Sequence, residues 1–231
     1  MTTLAPSDGR AKRHKPSRLA RLLTRPLALY LVLLVAAPAA TTAAEAPQIF
    51  ASTAVRNDNL ELFPKWRGTL DRYFEDRQIE ADCSPGRFDS CDLLEWQAFL
   101  DRQALLDPQR QLEAVNRHMN EHRYIVDPRN WGVEDYWATP LQFFRKDGDC
   151  EDYAIAKFMS LRALGWRDED LRIVVVDDRN LRAQHAVLVA FLDGRAYVLD
   201  NQSASVMLAD RIRHYRPIYS LNESAWWLHR S

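Results

Sequence analysis

Cys150, His185 and Asp200 stand in this order in the second half of the chain and could together perform nucleophilic acyl chemistry. A cysteine attacks as its thiolate, an imidazole within hydrogen-bond reach takes its proton and later protonates the leaving amine, and a carboxylate fixes the imidazole tautomer. The chain has three cysteines. Cys83 and Cys91 bracket the turn-rich SPGRFDS, a spacing that suits a local disulfide, with two free thiols as the other reading. Cys150 is then the odd thiol, which by count alone is intermolecular, buried and inert, or reactive.

Its neighbours sharpen the question. Asp147, Asp149, Glu151 and Asp152 crowd the cysteine, and their charge would raise the thiol pKa. A bound hard cation resolves that conflict, because carboxylate oxygens from a tight turn suit calcium. The plainer alternative is that acids at a helix start merely offset its dipole. A rival constellation is His118, Glu121 and His122 in HMNEH, which matches the H-x-x-E-H spacing of zinc metallopeptidases. Against zinc, the helical pattern stops at the following RYIVD and no third ligand is identifiable.

The elements that must position these groups follow from periodicity. Ala154, Ile155, Phe158 and Leu161 share a helical face and Gly165 stands at a C-terminal cap, so a helix begins at or just after Cys150. The segments 172–178, 185–192 and 195–200 read as strands, with Asp193-Gly194 as a two-residue hairpin. That turn pairs Leu192 with Arg195 and, counting back, Val187 with Asp200. His185 is then diagonal to Asp200 on one sheet face, at the ~7–8 Å that long side chains bridge. Upstream, helices are expected around Pro64, over 93–106 and over 110–122, with an irregular loop over 131–149. The class is α+β, helices packed on an antiparallel sheet. Trp131, Tyr136 and Trp137 lie on the loop ahead of the cysteine; Trp137 is the candidate partner-binding anchor, though such aromatics are usually core. Trp226 and Trp227 are expected to close the core.

The first 44 residues read as a signal peptide: seven Lys/Arg, then the apolar run 27–37, then small residues with cleavage favoured after Ala44. An uncleaved N-terminal anchor is the alternative. Residues 45–231 form the expected single domain. The whole chain has 31 Lys+Arg and 32 Asp+Glu, of which seven and one fall in 1–44, leaving 24 against 31 and a charge near −7. That balance argues against nucleic acid as a partner.

GDCEDYAIAKFMSLRALGW, QHAVLVAF, YVLDN and the upstream NWGVEDYWATPLQF together resemble the bacterial transglutaminase-like cysteine proteinases, and within them the LapG-type periplasmic proteases that cut a biofilm adhesin. The resemblance implies a transglutaminase/papain-like fold with the nucleophile at a helix N-terminus. It makes Cys150 the nucleophile, His185 the base and acid, Asp200 the orienting carboxylate, and Asp149, Glu151 and Asp152 calcium ligands, with Asp147 less certain. It further implies a cell-surface adhesin substrate cut near its N-terminus at an alanine-containing site, and sequestration by the periplasmic domain of an inner-membrane cyclic-di-GMP receptor. Other readings are a transglutaminase-type acyl transferase, the zinc peptidase, and a non-catalytic calcium-binding periplasmic module. The Cys83 to Cys91 loop has no place in the resemblance.

Overall fold

The computed structural model describes residues 48–78 and 89–230, apart from the side chains of residues 89 and 90. The expected signal peptide and Cys83 lie outside the described residues, and the expected Cys83–Cys91 bridge with them. Among the described residues no helix is long and apolar enough to cross a membrane.

The centre of the fold is a helix, α6 in chain order, over Cys150–Ala163. Every residue from Asp152 to Leu161 is buried, so no face of the helix is left for water. It ends where Gly165 takes φ +94: the Gly165 N–H donates to the Arg162 carbonyl at 3.1 Å and the Trp166 N–H to the Leu161 carbonyl at 3.0 Å. That pair of bonds is a Schellman cap, and the left-handed residue it needs is the glycine. The helices α1 (Pro64–Asp76), α2 (Asp89–Gln103), α3 (Pro108–Met119), α4 (Asp127–Asn130) and α5 (Pro140–Lys146) precede it. Proline stands in the first turn of α1, α3, α4 and α5, where its missing N–H costs nothing.

Seven strands, β1 (Thr53–Asn57), β2 (Leu171–Asp178), β3 (Ala183–Leu192), β4 (Arg195–Leu199), β5 (Met207–Leu208), β6 (Tyr215–Leu221) and β7 (Trp226–Arg230), form one sheet in the order β1-β7-β6-β2-β3-β4-β5. Each adjacent pair is antiparallel. Side chains of β2 alternate between two cores: Ile173 and Val175 join the helices, while Val174 and Val176 join Val187, Val189 and Val198 on the other face. The sequence pattern therefore holds for the α+β class and for the central hairpin, where Asp193 and Gly194 have φ +50 and +71 and Leu192 pairs with Arg195.

The structure differs from the sequence reading in two places. The expected irregular loop over 131–149 contains α5, fixed by a reciprocal cap between Thr139 and Gln142. The sheet also gains β1, β5, β6 and β7. β6 contains Pro217, which a strand tolerates at a bulge, and the β2–β6 register does shift there. Trp226 and Trp227 lie on β7, with Trp227 buried.

Candidate active site

The approach to Cys150 is held on both sides. The Ile125 N–H donates to the Gly148 carbonyl at 2.8 Å, and Tyr124 and Gly148 form a parallel bridge. Asp147 ends α5 with φ +62 and turns the chain into Gly148. Gly148 is required by close approach: a Cβ there would lie 2.3 Å from Asp152 Oδ2 and 2.6 Å from Asp152 Cβ. Asp152 cannot readily retreat, because it is fully buried and accepts from the Ala138 N–H at 2.7 Å and the Asp149 N–H at 3.2 Å. Two residues after Gly148, Cys150 opens α6 as a free thiol.

Cys150 and His185 line one cavity of about 210 Å³, together with Asp135, Trp137, Glu151 and Tyr219. His185 is buried on β3 and shares a hydrogen bond of 2.9 Å between its Nε2 and Asp200 Oδ1. Asp200 follows β4, one position beyond Leu199, which pairs with Leu188. Its other oxygen accepts from the Tyr215 hydroxyl at 2.5 Å, and the Gln202 N–H adds a bond to Oδ1 at 2.9 Å. Burial pulls the Asp200 pKa upward, but His185, Tyr215 and Gln202 outweigh it and hold the carboxyl below its usual value. The end of α3 anchors the backbone here: Asn120 Nδ2 donates to the carbonyls of Asp200 and Ser203, at 2.9 Å each.

The thiol environment is acidic and dry. Burial, followed by Glu151, pushes the Cys150 thiol up, and only a backbone contact from Ala186 is resolved against it. The thiol donates to Glu151 Oε2 at 3.2 Å. Burial and Asp149 push Glu151 up to about 9, and burial raises Asp149 and takes Asp152 well above its ordinary value.

Two groups of carboxylates converge to within 4.8 Å: Asp127, Asp149 and Asp152, and Asp127, Asp135 and Glu151. Among the described residues Asp127 Oδ1 and Asp149 Oδ1 are buried without a hydrogen-bond partner. Clustered hard oxygens with two idle acceptors fit a calcium ion by type. Of the sequence-predicted ligands, Asp149 and Asp152 share one group and Glu151 falls in the other; Asp127, common to both, and Asp135 are residues that sequence reasoning missed. Asp147 belongs elsewhere: its carboxylate meets Arg123 Nε at 2.9 Å and His122 Nδ1 at 3.2 Å.

The zinc constellation does not assemble. α3 ends at Met119, His118 stacks on Phe99 at 4.0 Å, and His122 turns to Asp147. Among the described residues His118, Glu121 and His122 form no ligand cluster. Trp137 is buried, its ring 6.3 Å from that of Trp66, and it reaches the cavity as wall rather than as a protruding anchor.

The model of the bacterial transglutaminase-like cysteine proteinase family matches residues 89–229. Among solved structures, Legionella pneumophila LapG is similar at 27% identity and TM-score 0.56, over 69% of this chain and 87% of that chain; a calcium-bound form gives the same values. An EGTA-treated form of the same protein is similar at 26% identity and TM-score 0.57, over 71% and 86%. No match is found among curated protein sequences.

Proposed function

The chain belongs to the bacterial transglutaminase-like cysteine proteinases, and from that premise we propose that it is a calcium-dependent endopeptidase with Cys150, His185 and Asp200 as its triad. The observation that carries this reading is the free Cys150 at a helix start, sharing a cavity with a His185 that is hydrogen-bonded to Asp200 at 2.9 Å.

With Nε2–H of His185 engaged by Asp200, Nδ1 is the nitrogen left to take the Cys150 proton. The thiolate attacks the scissile carbonyl carbon, and the imidazolium protonates the departing amine as the C–N bond breaks. Water, deprotonated by His185, then cleaves the thioester and releases the acid. Tyr215 and Asn120 keep Asp200 in place, one through its carboxylate and one through its backbone. Asp127, Asp149 and Asp152, with Asp135 and Glu151 alongside, would hold calcium; the ion would supply the positive charge that this dry cluster of carboxylates lacks. Calcium-bound and EGTA-treated forms of the Legionella protein support that ligand.

The protease acts in the periplasm after loss of residues 1–44. Its substrate is a large cell-surface adhesin, cut near its N-terminus at an alanine-containing site, and its inhibitor is the periplasmic domain of an inner-membrane cyclic-di-GMP receptor. The four motifs around Cys150, His185 and Asp200 support these assignments by resemblance. The test is incubation of the mature protein with adhesin N-terminal segments, with calcium or EGTA, beside Cys150→Ala. Two fragments whose masses add to substrate plus water, formed only with calcium and Cys150, are expected; a crosslink would indicate acyl transfer, and no cut would overturn the reading.

A further inference from the structure

A second cavity of about 590 Å³, lined by Asp177, Gln184, Arg216, Leu228 and Arg230 among others, adjoins the Cys150 pocket, and Gln184 lines both. The sheet register shows that they are one surface. Leu228 pairs with Tyr219, Tyr219 with Val175, and Val175 with Ala186, so a single row runs from the groove to the wall of the Cys150 pocket. Two residues along β2 and β3, and so on the same face, lie Asp177 and Gln184; on β6 the register shift makes the step three residues, and Arg216, which pairs with Asp177, completes the next row. Arg230 lies on that face beyond Leu228.

The two ends differ in charge. Glu134 and Asp135 line the end at the nucleophile, whereas Arg216 and Arg230 stand in the groove beside Asp177. Both arginines are exposed, and neither guanidinium forms an ion pair or hydrogen bond with another described residue. An exposed leucine, Leu228, lies between them and Tyr219.

We propose that this groove is a substrate subsite that takes an acidic stretch of the polypeptide on one side of the scissile bond, read by Arg216 and Arg230. The proposal rests on the endopeptidase reading. From β3 to β7 there are three strand spacings, about 14 Å, which an extended peptide covers in about four residues. Arg230 on β7 therefore meets residues about four positions from the cut and Arg216 on β6, two spacings away, residues about three positions from it, while Glu134 and Asp135 disfavour acidic residues beside the cut.

Two fluorescein-labelled peptides test this, each with an Ala-Ala bond and either two aspartates or two asparagines about four residues away. Binding is measured by fluorescence polarisation to Cys150→Ala, and again with Arg216→Glu and Arg230→Glu added. The Cys150→Ala protein is expected to bind the aspartate peptide about tenfold more tightly than the asparagine one. The charge-reversed protein is expected to lose that preference and to favour a lysine version, a gain that misfolding would not produce. Equal binding of the aspartate and asparagine peptides, or a preference that survives charge reversal, overturns the subsite. Absence of any Cys150-dependent cut by the wild-type protein would instead overturn the endopeptidase reading, and the binding comparison would still decide the subsite.

Discussion

Gly148→Ala places a methyl group where Asp152 already is. The new Cβ would sit 2.3 Å from Oδ2, 2.6 Å from Cβ and 2.9 Å from Cγ of Asp152, distances that do not occur between real atoms. Asp152 is not the free end of a flexible chain: it is buried and fixed by the N–H groups of Ala138 and Asp149. Moving it breaks two hydrogen bonds to a buried charged acceptor, at about 1.5–3 kcal/mol each, so the expected loss is about 3 kcal/mol or more. For a domain of this size that lowers Tm by about 6–12 °C in saturating calcium. Because Asp152 shares its site with Asp127 and Asp149, the calcium midpoint is also expected to weaken by about 10-fold or more. Thermal melting across a calcium titration measures both. A variant with Tm within about 1 °C of wild type and the same calcium midpoint would show that Asp152 is neither pinned nor a ligand.

Asp127→Asn is expected to weaken calcium binding at least about tenfold by isothermal titration, whereas Asp147→Asn, already committed to Arg123 and His122, leaves it within about twofold. Tyr215→Phe removes one bond to Asp200 and is expected to lower kcat about tenfold at unchanged KM, with the acid limb of the pH–rate profile moving to higher pH. Lys157 is fully buried without a hydrogen-bond partner, and burial brings its pKa down to about 7 against a weaker pull from Asp200. The unfolded chain then holds the extra proton between about pH 7 and 10.5, so wild-type stability rises across that window. Lys157→Met is expected to abolish this slope in urea denaturation and to stabilise the protein by a few kcal/mol below pH 7, on the order of the burial penalty it removes.

The pairing of His185 with Asp200 was legible because its determinants are local. The Asp-Gly turn set the β3–β4 register, and through it the His185–Asp200 bond, without knowledge of the rest of the sheet. The helix after Cys150 was readable from its apolar face and its glycine cap. What sequence could not supply was contact between distant segments. Asp127 reaches the acidic cluster from the start of α4 and Asp135 from the loop between α4 and α5, and no period or spacing ties them to Cys150. Tyr215 meets Asp200 from the start of β6, a strand outside the hairpin that the Asp-Gly turn defines. α5 did carry a readable sign, Thr139-Pro140 with Gln142 three residues after the cap, but the surrounding aromatics disguised it. The H-x-x-E-H spacing had the opposite fault, since a motif that would suit zinc lies across the end of α3, whose asparagines hold the Asp200 segment instead.

Burial and carboxylates raise the Cys150 thiol, and calcium held by the proposed cluster around Asp127 and Asp149 would offset that charge. The rate of Cys150 alkylation by iodoacetamide, followed by mass spectrometry from pH 5 to 10 in calcium and in EGTA, tests that linkage directly. In calcium the midpoint of the reactivity curve is expected at least about one pH unit below its position in EGTA, because neutralised carboxylates no longer oppose the thiolate. Superimposable curves in calcium and EGTA would contradict the link between the acidic cluster and the nucleophile.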